Sequence, residues 1–382
     1  MAAEKSPFYH MRYAVKYFPV VIIGGGVAGL NAARLLRRAG VDFALYEARD
    51  RLGGRVLSAN QAGEPAERGF DLGASWFWPR TQLPMRDLVD ELGLKTFPQY
   101  SEGDVIFHRM SRELPRRFSV AHDQPAPEAL RLADGNYALI TALAAALPLA
   151  SVHCNTRLSR IERVGQRVIS TLTQKDGLVF QVASSHLILA LPPRLIEAHI
   201  AFSPAPDPRT LQRWKKTPTW MAPHAKFFAV YPRPFWREAG LSGSAQSMAG
   251  PLVEIHDATT SSGEAALMGF IGMPATQRKK IGQQAIMSAS TEQLKRLFGD
   301  QASVPLQVFI KDWADDPFTS TSEDETGSGP IEAGCGDWFD SEWHDVISLA
   351  GSEFSHTEPG FLSGAVASSL HAVTALLSKR QS

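Results

Sequence analysis

The pattern of apolar and polar positions over residues 18–55 predicts a strand, a turn, a helix and a second strand. Residues 20–23 are a short run of β-branched apolar side chains, which is typical of a parallel strand buried on both faces. Residues 30–39 predict a helix that ends at Gly40, and residues 41–46 predict the next strand. We therefore expect a strand–helix–strand unit of the α/β class.

The turn between the first strand and the helix has the pattern G-x-G-x-x-G over residues 24–29. Small residues there let the backbone approach a pyrophosphate, whose charge meets the free N–H groups at the helix N-terminus. Glu47 closes the second strand, where its carboxylate can accept hydrogen bonds from a ribose. The unit is predicted to bind a dinucleotide, with contacts from Gly24, Gly26, Ala28, Gly29 and Glu47.

A second glycine turn follows directly in the sequence EARDRLGGR, residues 47–55. Arg55 ends it, and its planar, permanently charged guanidinium can neutralise the same pyrophosphate. The segment resembles the FAD fingerprint E-A-x-x-R-x-G-G-R of the flavin-containing amine oxidase family. The resemblance predicts FAD rather than NAD, and the predicted contacts in this turn are Arg49, Gly54 and Arg55.

Further segments resemble the same family, in the same order along the chain. They are residues 71–76, 155–161 and 187–193, and the closing segments 349–353 and 360–366. The spacing between Lys226 and residues 234–237 is also similar to that of the family. The cofactor contacts that the resemblance implies are Gly73, Ala74, Ser75, Trp76, Leu158, Trp313, Gly351, Glu353, Phe361 and Leu362.

The resemblance implies an α/β fold in which an FAD-binding Rossmann-like domain is interleaved with a smaller α+β substrate domain. The predicted FAD-binding pieces are residues 1–85, 135–195 and 345–382, and the substrate-domain pieces are 86–134 and 196–344. Within them, residues 157–191 predict a β-meander, residues 319–337 a long loop, and residues from 370 onward a short helix.

Composition and charge exclude several classes of protein. Lys plus Arg equals Asp plus Glu at 39 each, so net charge indicates neither a nucleic-acid partner nor an anionic membrane. Two cysteines, Cys154 and Cys335, suit a reducing compartment. The first 17 residues lack the apolar core of a signal peptide, and no apolar stretch reaches the about 18 residues of a membrane span. We predict a soluble, cytoplasmic protein without a metal site.

A second dinucleotide motif would indicate a nicotinamide site and a different enzyme class. Residues 334–336 do not follow a predicted strand, and residues 269–272 lack the third glycine. Aromatic hydroxylases with a single motif end in G-D-A, where this chain has residues 351–353 as Gly-Ser-Glu. We therefore predict an oxidase that is reoxidised by O₂ and has no second nucleotide site.

Lys226 is the predicted catalytic residue. It lies in the otherwise apolar stretch 221–231, where an unpaired ammonium is costly. The resemblance places it near flavin N5, with a water molecule between them. From the residues alone, a strand-end lysine with its charge in solvent is an equal alternative. His224 is a weaker candidate, for which we expect a structural role.

The substrate site departs from the family pattern. Phe361 matches one of the two aromatic side chains that enclose the amine in many members. The second is expected at or near Glu323, after Trp313, and no aromatic residue stands there. Trp76, with residues 77 and 78, is the alternative aromatic surface. No cysteine occupies the position that links covalently to flavin in some members, so FAD is expected to be non-covalent.

The resemblance implies an oxidase that moves a hydride equivalent from an amine or amino acid to flavin N5, with O₂ reduced to H₂O₂. The alternatives are a flavin-dependent dehydrogenase or desaturase acting on a non-amine, and an FAD-binding protein without turnover. Residues 312–378 contain thirteen acids and no Lys or Arg, which could steer cationic substrates to the site. A solvated acidic surface is the alternative.

Overall fold

The computed structural model describes residues 15–119, 128–325, 338–339 and 342–381. The described strands are β1 (Lys16–Ile23), β2 (Phe43–Tyr46), β3 (Ser58–Ala59), β4 (Pro65–Ala66), β5 (Phe70–Asp71), β6 (Thr96–Pro98), β7 (Asp104–His108), β8 (Arg116–Phe118), β9 (Leu130–Leu132), β10 (Val152–His153), β11 (Thr156–Val164), β12 (Arg167–Gln174), β13 (Val179–Leu189), β14 (Ala201–Ser203), β15 (Ala225–Tyr231), β16 (Leu241–Ser247), β17 (Leu252–Asp257), β18 (Ala265–Ile271), β19 (Gln307–Asp312) and β20 (Ile347–Leu349). The described α-helices are α1 (Val27–Arg38), α2 (Leu83–Glu91), α3 (Tyr137–Ala145), α4 (Pro193–His199), α5 (Pro208–Lys216), α6 (Phe235–Glu238), α7 (Ala275–Ile281), α8 (Gln283–Phe298) and α9 (Leu362–Gln381).

The larger sheet has the strand order β10-β2-β1-β13-β12-β11-β14, and β20 also pairs with β13. Its centre is parallel, with Val21 of β1 between Ala44 of β2 and Leu187 of β13. Strands β11, β12 and β13 follow one another by antiparallel pairing. The structure thus contains the β-meander predicted over residues 157–191.

Both faces of this sheet are covered. Val20 and Ile22 lie in a core shared with α1, α2, α3 and α9, whereas Val21 lies in a second core with Trp214 and Trp343. Each of these side chains is fully buried. Because alternate side chains of β1 enter two different cores, the strand is apolar at every one of these positions.

The second sheet has the strand order β19-β15-β18-β17-β16-β7-β8. One of its faces packs on α8, with Phe227 and Leu267 in that core. The opposite face carries Phe228, which packs in a further core with Phe70 of β5 and with Leu72, which follows β5. This contact places β15, the strand of the predicted catalytic lysine, against the segment that follows β5.

The packing around the larger sheet favours domain boundaries that differ from the predicted ones. Helix α2 spans the boundary after residue 85, and its Met85 is buried in the core of the larger sheet. Strand β14 pairs with β11, and Trp214 of α5 lies in the same sheet's second core, although both follow residue 195. Phe339 and Trp343 also belong to that core. We therefore propose FAD-domain pieces that end after α2 and after α5 and resume by residue 338.

The C-terminal helix is longer than predicted. α9 begins at Leu362 rather than near residue 370, because Ala365, Val366 and Val373 pack into the core around α1. Of the predicted loop, Ser322–Asp324 form a single 3₁₀ turn, and residues 326–337, including Cys335, lie outside the described residues. The same holds for residues 1–14. Within the described ranges, every helix is too short or too polar to cross a membrane.

Candidate active site

The glycine turn joins the end of β1 to the start of α1. Gly24 has a φ of +105°, and a Cβ there would lie 2.5 Å from the carbonyl oxygen of Ala190, so conformation and packing both require glycine. Gly26 differs, because its φ of −77° suits any residue and an added Cβ would meet no protein atom closer than 4.0 Å. Glycine at position 26 therefore keeps the space before the α1 N-terminus open, as a bound pyrophosphate requires.

Glu47 lies directly after β2 and is 4% exposed. Its Oε2 accepts a hydrogen bond from the N–H of Gly25 (2.6 Å), and its Oε1 accepts one from the N–H of Arg49 (2.9 Å). The Arg49 guanidinium donates in turn to Asp316 (2.7 Å) and Thr319 (2.9 Å). These bonds hold the carboxylate beside the N-terminus of α1, and each oxygen retains a lone pair for a ligand hydroxyl.

Arg55 is held by a buried acid. Its two Nη groups donate to both carboxylate oxygens of Glu353 (2.5 and 3.0 Å), to Oγ of Ser352 (3.1 Å) and to the carbonyl oxygen of Trp220 (3.0 Å). These four bonds use the four Nη hydrogens, so the Nε–H is the donor left for a ligand. Because Glu353 balances its charge, Arg55 supplies a hydrogen-bond donor to the site rather than the net positive charge predicted from the sequence.

Lys226 is the second residue of β15 and is 1% exposed. Its Nζ donates to the carbonyl oxygens of Asp71 (3.2 Å) and Gly73 (2.5 Å) and to Oγ of Ser75 (2.8 Å). These three acceptors match the three N–H donors of an ammonium group. Burial lowers the pKa of Lys226 to about 7. The lysine thus lies inside the protein, and the alternative of a charge in solvent does not apply.

A cavity of about 720 Å³ connects these groups. The predicted site residues that line it are Gly24, Gly26, Ala28, Glu47, Arg49, Gly54, Arg55, Gly73, Ala74, Ser75, Trp76, Leu158, Lys226, Gly351, Phe361 and Leu362. The other three predicted residues do not line the cavity. Gly29 lets the first turn of α1 lie close to the carbonyl oxygen of Gly24, Trp313 donates to the carbonyl oxygen of Leu72 (2.9 Å), and Glu353 holds Arg55. One continuous space therefore joins the glycine turn to Lys226.

Phe361 faces two tryptophans in this cavity. Its ring centroid lies 6.3 Å from that of Trp220, with 31° between the ring planes, and 6.3 Å from that of Trp78, with the rings nearly perpendicular. Met221, directly after Trp220, has a φ of +70°, a strained conformation for a large side chain. Trp220 was not predicted as a site residue, because no periodicity or motif marks the loop that holds it.

Trp76 lies next to Lys226 in the cavity wall. The rings of Trp76 and Phe270 are centred 5.7 and 5.4 Å from the lysine Nζ. The indole Nε1 of Trp76 donates to Oε1 of Gln99 (2.7 Å), and the ring of His256 packs against it edge-on at 4.8 Å. Trp76 therefore has a fixed orientation in the wall beside the lysine.

His224 precedes β15 instead of lying within it, and it lines the cavity. Burial lowers the pKa of its imidazole, which favours the neutral ring. Its Nδ1 is buried without a hydrogen-bond partner among the described residues. A buried imidazole nitrogen without a hydrogen-bond partner costs free energy, so this histidine is held at some expense to stability.

The position predicted for a second aromatic side chain lies away from the cavity. The carboxylate of Glu323 is 3.3 Å from the ammonium of Lys215, and its side chain is 37% exposed. Its neighbour Asp324 is fully buried and accepts hydrogen bonds from Arg194 and from the N–H of Thr321 (3.0 Å). Because Asp324 anchors this segment to α4, residue 323 faces solvent.

The open α1 N-terminus, the acid after β2 and the cavity at the sheet edge are the arrangement of a dinucleotide-binding α/β protein. A model of one family, described as flavin containing amine oxidoreductase, matches residues 27–131 and 116–377. The match covers most of the chain, which therefore belongs to this family and is an FAD-dependent oxidoreductase. The predicted family, cofactor and fold class are confirmed.

Individual relatives agree with this assignment. A Mycobacterium tuberculosis protein named as a flavin-containing monoamine oxidase, AofH, is 27% identical over 461 aligned positions, which cover 94% of this chain and 97% of the relative. Putrescine oxidase of Kocuria rosea is 46% identical over 88 residues, 23% of this chain and 17% of that protein. A solved putrescine oxidase bound to putrescine has a TM-score of 0.78 at 20% identity, covering 95% of this chain and 100% of that chain. The last comparison shows that the fold is shared.

Proposed function

We propose that this protein is an amine oxidase that uses O₂ as its electron acceptor. When bound, FAD would supply the two-electron acceptor for a hydride equivalent from the carbon next to the substrate nitrogen, and O₂ would be the final oxidant, reduced to H₂O₂. The observation that carries the proposal is the position of Lys226, buried against residues 71–75 in the wall of the cavity that starts at the glycine turn. The family assignment supports amine oxidation in general.

The chain's own residues fit FAD. We infer that the N–H groups at the start of α1 meet the pyrophosphate, in the space that Gly26 leaves open. Glu47 accepts bonds from the ribose, and the Arg55 Nε–H donates to the cofactor. Leu158 lines the cavity, as expected for the adenine position that the family resemblance implies.

Cys154 supports two further parts of the proposal. It is a free, half-buried cysteine and is not among the described residues that line the cavity, so Cys154 is not placed to form a covalent bond to FAD, which we propose is held non-covalently. A free thiol and few cysteines suit a reducing compartment, and we place the enzyme in the cytoplasm. Acid precipitation tests the first point: all flavin should enter the supernatant, and flavin left in the pellet would contradict it.

The substrate amine binds in the aromatic part of the cavity. Phe361, Trp220 and Trp76 offer apolar ring faces there, which suit the neutral amine and its alkyl group. Lys226, with its pKa of about 7, exchanges one of its three protein contacts for a water molecule. The longest contact, to the carbonyl oxygen of Asp71 at 3.2 Å, is the one we expect to be exchanged.

The proposal is tested by mixing the purified protein anaerobically with a panel of amines and amino acids, and following the flavin absorbance. Bleaching by an amine, followed by peroxide formation when O₂ is admitted, is the expected result. Bleaching only by non-amine donors would indicate a dehydrogenase or desaturase. Flavin that no donor reduces would indicate a binding protein without turnover.

A further inference from the structure

The buried ammonium of Lys226 is held by two kinds of acceptor. The carbonyl oxygens of Asp71 and Gly73 accept hydrogen bonds but cannot donate them. Oγ of Ser75, 2.8 Å from Nζ, belongs to a hydroxyl group, which can do both. Among these three acceptors, Ser75 is therefore the one that could also donate a hydrogen bond to Lys226.

The protonation state of Lys226 decides which kind of partner its nitrogen needs. An ammonium has three N–H donors, and three acceptors suit it. A neutral amine has two N–H donors and a lone pair, so it needs two acceptors and one donor. The two carbonyl oxygens and the hydroxyl of Ser75 satisfy both forms. Burial brings the pKa of Lys226 to about 7, so both forms are populated near neutral pH.

The hydroxyl hydrogen of Ser75 is available to the cavity. The acceptor that the structure shows for it is the carbonyl oxygen of Asp71, at 3.5 Å, whereas O–H···O bonds are ordinarily about 2.5–3.0 Å long. Ser75 also lines the cavity. Because the long bond holds the hydrogen weakly, the O–H can turn to a water molecule in the cavity.

The segment 71–75 is fixed from behind. Trp313 and the side chain of Asn136 donate hydrogen bonds of 2.9 and 2.7 Å to its carbonyl oxygens at positions 72 and 74. A Cβ at Gly73 would overlap the carbonyl oxygen of Arg55, so the segment also packs closely on the second glycine turn. Because these contacts restrain the backbone, the carbonyl acceptors keep their places when the lysine loses its proton.

The charged groups around Lys226 stay the same when Ser75 is replaced. Burial lowers the pKa of Lys226 most, the charge of Asp71 raises it, and that of Arg131 lowers it. Further titratable groups near the lysine are His224, just before β15, and Lys311 of β19 and Glu254 of β17, which lie in its cross-strand row. A difference between Ser75 variants therefore reports on the hydroxyl.

We propose that Ser75 is a positioning residue that holds Lys226 in both protonation states, as an acceptor for the ammonium and as a donor to the neutral amine. When the lysine releases a proton, its Nζ–H bond to Ser75 breaks and that proton bonds to Oγ. The former hydroxyl proton passes to a water molecule in the cavity. The new O–H then points at the lone pair left on Nζ, so the lysine keeps its place. The use of this proton in reducing O₂ to H₂O₂ rests on the proposed function.

The first test is a double-mutant cycle in the full-length chain without added FAD. Urea denaturation at pH 6 and pH 9 gives the unfolding equilibrium constants of the wild type, Ser75→Ala, Lys226→Met and the double variant. Beside Lys226, Ser75→Ala should raise the constant by about tenfold or more at pH 6, where the hydroxyl serves a charge, and by about threefold to tenfold at pH 9. In the Lys226→Met background it should raise the constant by about twofold or less at both pH values.

The coupling at pH 9 decides the proposal. A serine that only accepts would couple to the ammonium at pH 6 and lose the coupling at pH 9, whereas a donor to the neutral amine keeps it. Loss of coupling at pH 9 would overturn the proposal, as would a pH dependence of stability that Lys226→Met leaves unchanged, because the lysine would then still be charged. Ser75→Thr keeps a hydroxyl and should keep the coupling.

Ser352→Ala is the matched control. Ser352 is also a buried serine of the cavity wall that accepts a hydrogen bond from a charged group, in its case Arg55. Its cycle with Lys226→Met should show no coupling at either pH. Coupling as large as that of Ser75 would overturn the assignment, because it would not depend on a bond to the lysine.

The holoenzyme gives a second readout. Dithionite-reduced wild type, Ser75→Ala and Ser75→Thr are mixed with oxygenated buffer between pH 6 and pH 9, and the flavin absorbance is followed. Because the ammonium loses the stronger bond, Ser75→Ala should lower the pH at which reoxidation slows by about one unit, and Ser75→Thr should leave it in place. An unmoved profile in Ser75→Ala would contradict the proposal. Flavin that no amine reduces would overturn the proposed function, whereas the double-mutant cycle decides the role of Ser75 without turnover.

Discussion

Arg55 and Glu353, 298 residues apart in the sequence, form an ion pair through two hydrogen bonds of 2.5 and 3.0 Å. The pair joins the second glycine turn to the 3₁₀ turn Ser352–Phe354 near the C-terminus. The Glu353 side chain is 0% exposed and that of Arg55 is 23% exposed. Water therefore cannot hydrogen-bond to the Glu353 carboxylate in place of the guanidinium. The second glycine turn and the C-terminal 3₁₀ turn thus depend on each other for their stability at the cavity wall.

Breaking this pair should destabilise the protein strongly. Glu353→Gln leaves the Arg55 charge without its partner, and we expect the free energy of unfolding to fall by about 3 kcal/mol. Ser352→Ala removes the hydroxyl that accepts from Arg55 and donates to Glu353 but leaves the ion pair in place, and it should cost about 1.5 kcal/mol. Urea denaturation of both variants as apoproteins measures the difference. Similar losses would show that the ion pair adds nothing beyond an ordinary hydrogen bond.

Glu47 should determine how tightly FAD is retained. Glu47→Ala removes the proposed ribose acceptor, a loss of about 1.5–3 kcal/mol for a bond to a charged group. Titration of apoprotein with FAD should show a dissociation constant raised by about tenfold to a hundredfold. Asp50→Ala, an exposed acid in the same turn, is the control and should bind FAD normally. Unchanged FAD affinity in Glu47→Ala would remove Glu47 from the site.

Lys226 should make stability depend on pH. Its pKa is about 7 in the folded protein and near the usual 10.5 when unfolded, so the unfolded chain binds more protons between these values. The free energy of unfolding of the apoprotein should therefore rise with pH across this window, by up to about 1.4 kcal/mol per unit. Lys226→Met should remove this contribution at little packing cost. Denaturation of both proteins at pH 7 and 9 measures it, and equal pH dependence would mean that the folded lysine keeps its proton.

Lys226→Met should also slow reoxidation of the reduced enzyme by O₂. A positive charge beside O₂ stabilises the negative charge that develops on it, and losing one such group costs about a hundredfold in rate. Dithionite-reduced wild type and variant are mixed with oxygenated buffer, and the flavin absorbance is followed. Lys311→Met, the cross-strand neighbour on β19, is the control. If both variants reoxidise at the wild-type rate, Lys226 is structural.

Trp220 should contribute to binding of the substrate's apolar part. Trp220→Leu removes the ring that faces Phe361, and an aromatic contact of this kind is worth about 0.5–1.5 kcal/mol. The KM for an aromatic amine should rise by about threefold to tenfold with FAD content unchanged. Phe118→Leu, an exposed ring on β8, is the control. A KM that Trp220→Leu leaves unaltered would exclude Trp220 from the substrate site.

Features that depend on neighbouring residues could be predicted from the local sequence. The run at 20–23, the glycine spacing and Glu47 define one strand–turn–helix–strand unit, because burial period, turn conformation and helix start are all local properties. The apolar stretch around Lys226 left a buried lysine and a strand-end lysine in solvent as equal alternatives, and only the packing of β15 shows that it is buried. The helix α9 was shortened in the prediction because its first turn is buried by contacts with α1, which the local pattern does not contain.

Contacts between residues that are far apart in the chain could not be predicted in this way. The acids of residues 312–378 predicted a charged stretch, yet Asp312 pairs with Arg278, Asp316 with Arg49, and Asp324 with Arg194 in the interior. Likewise, strand order and register place Glu254 on the face of Lys226, and loop packing turns Trp220 toward Phe361. Such pairs depend on how sheets and loops pack across the whole chain, and a side chain's own neighbours in sequence carry no record of that packing.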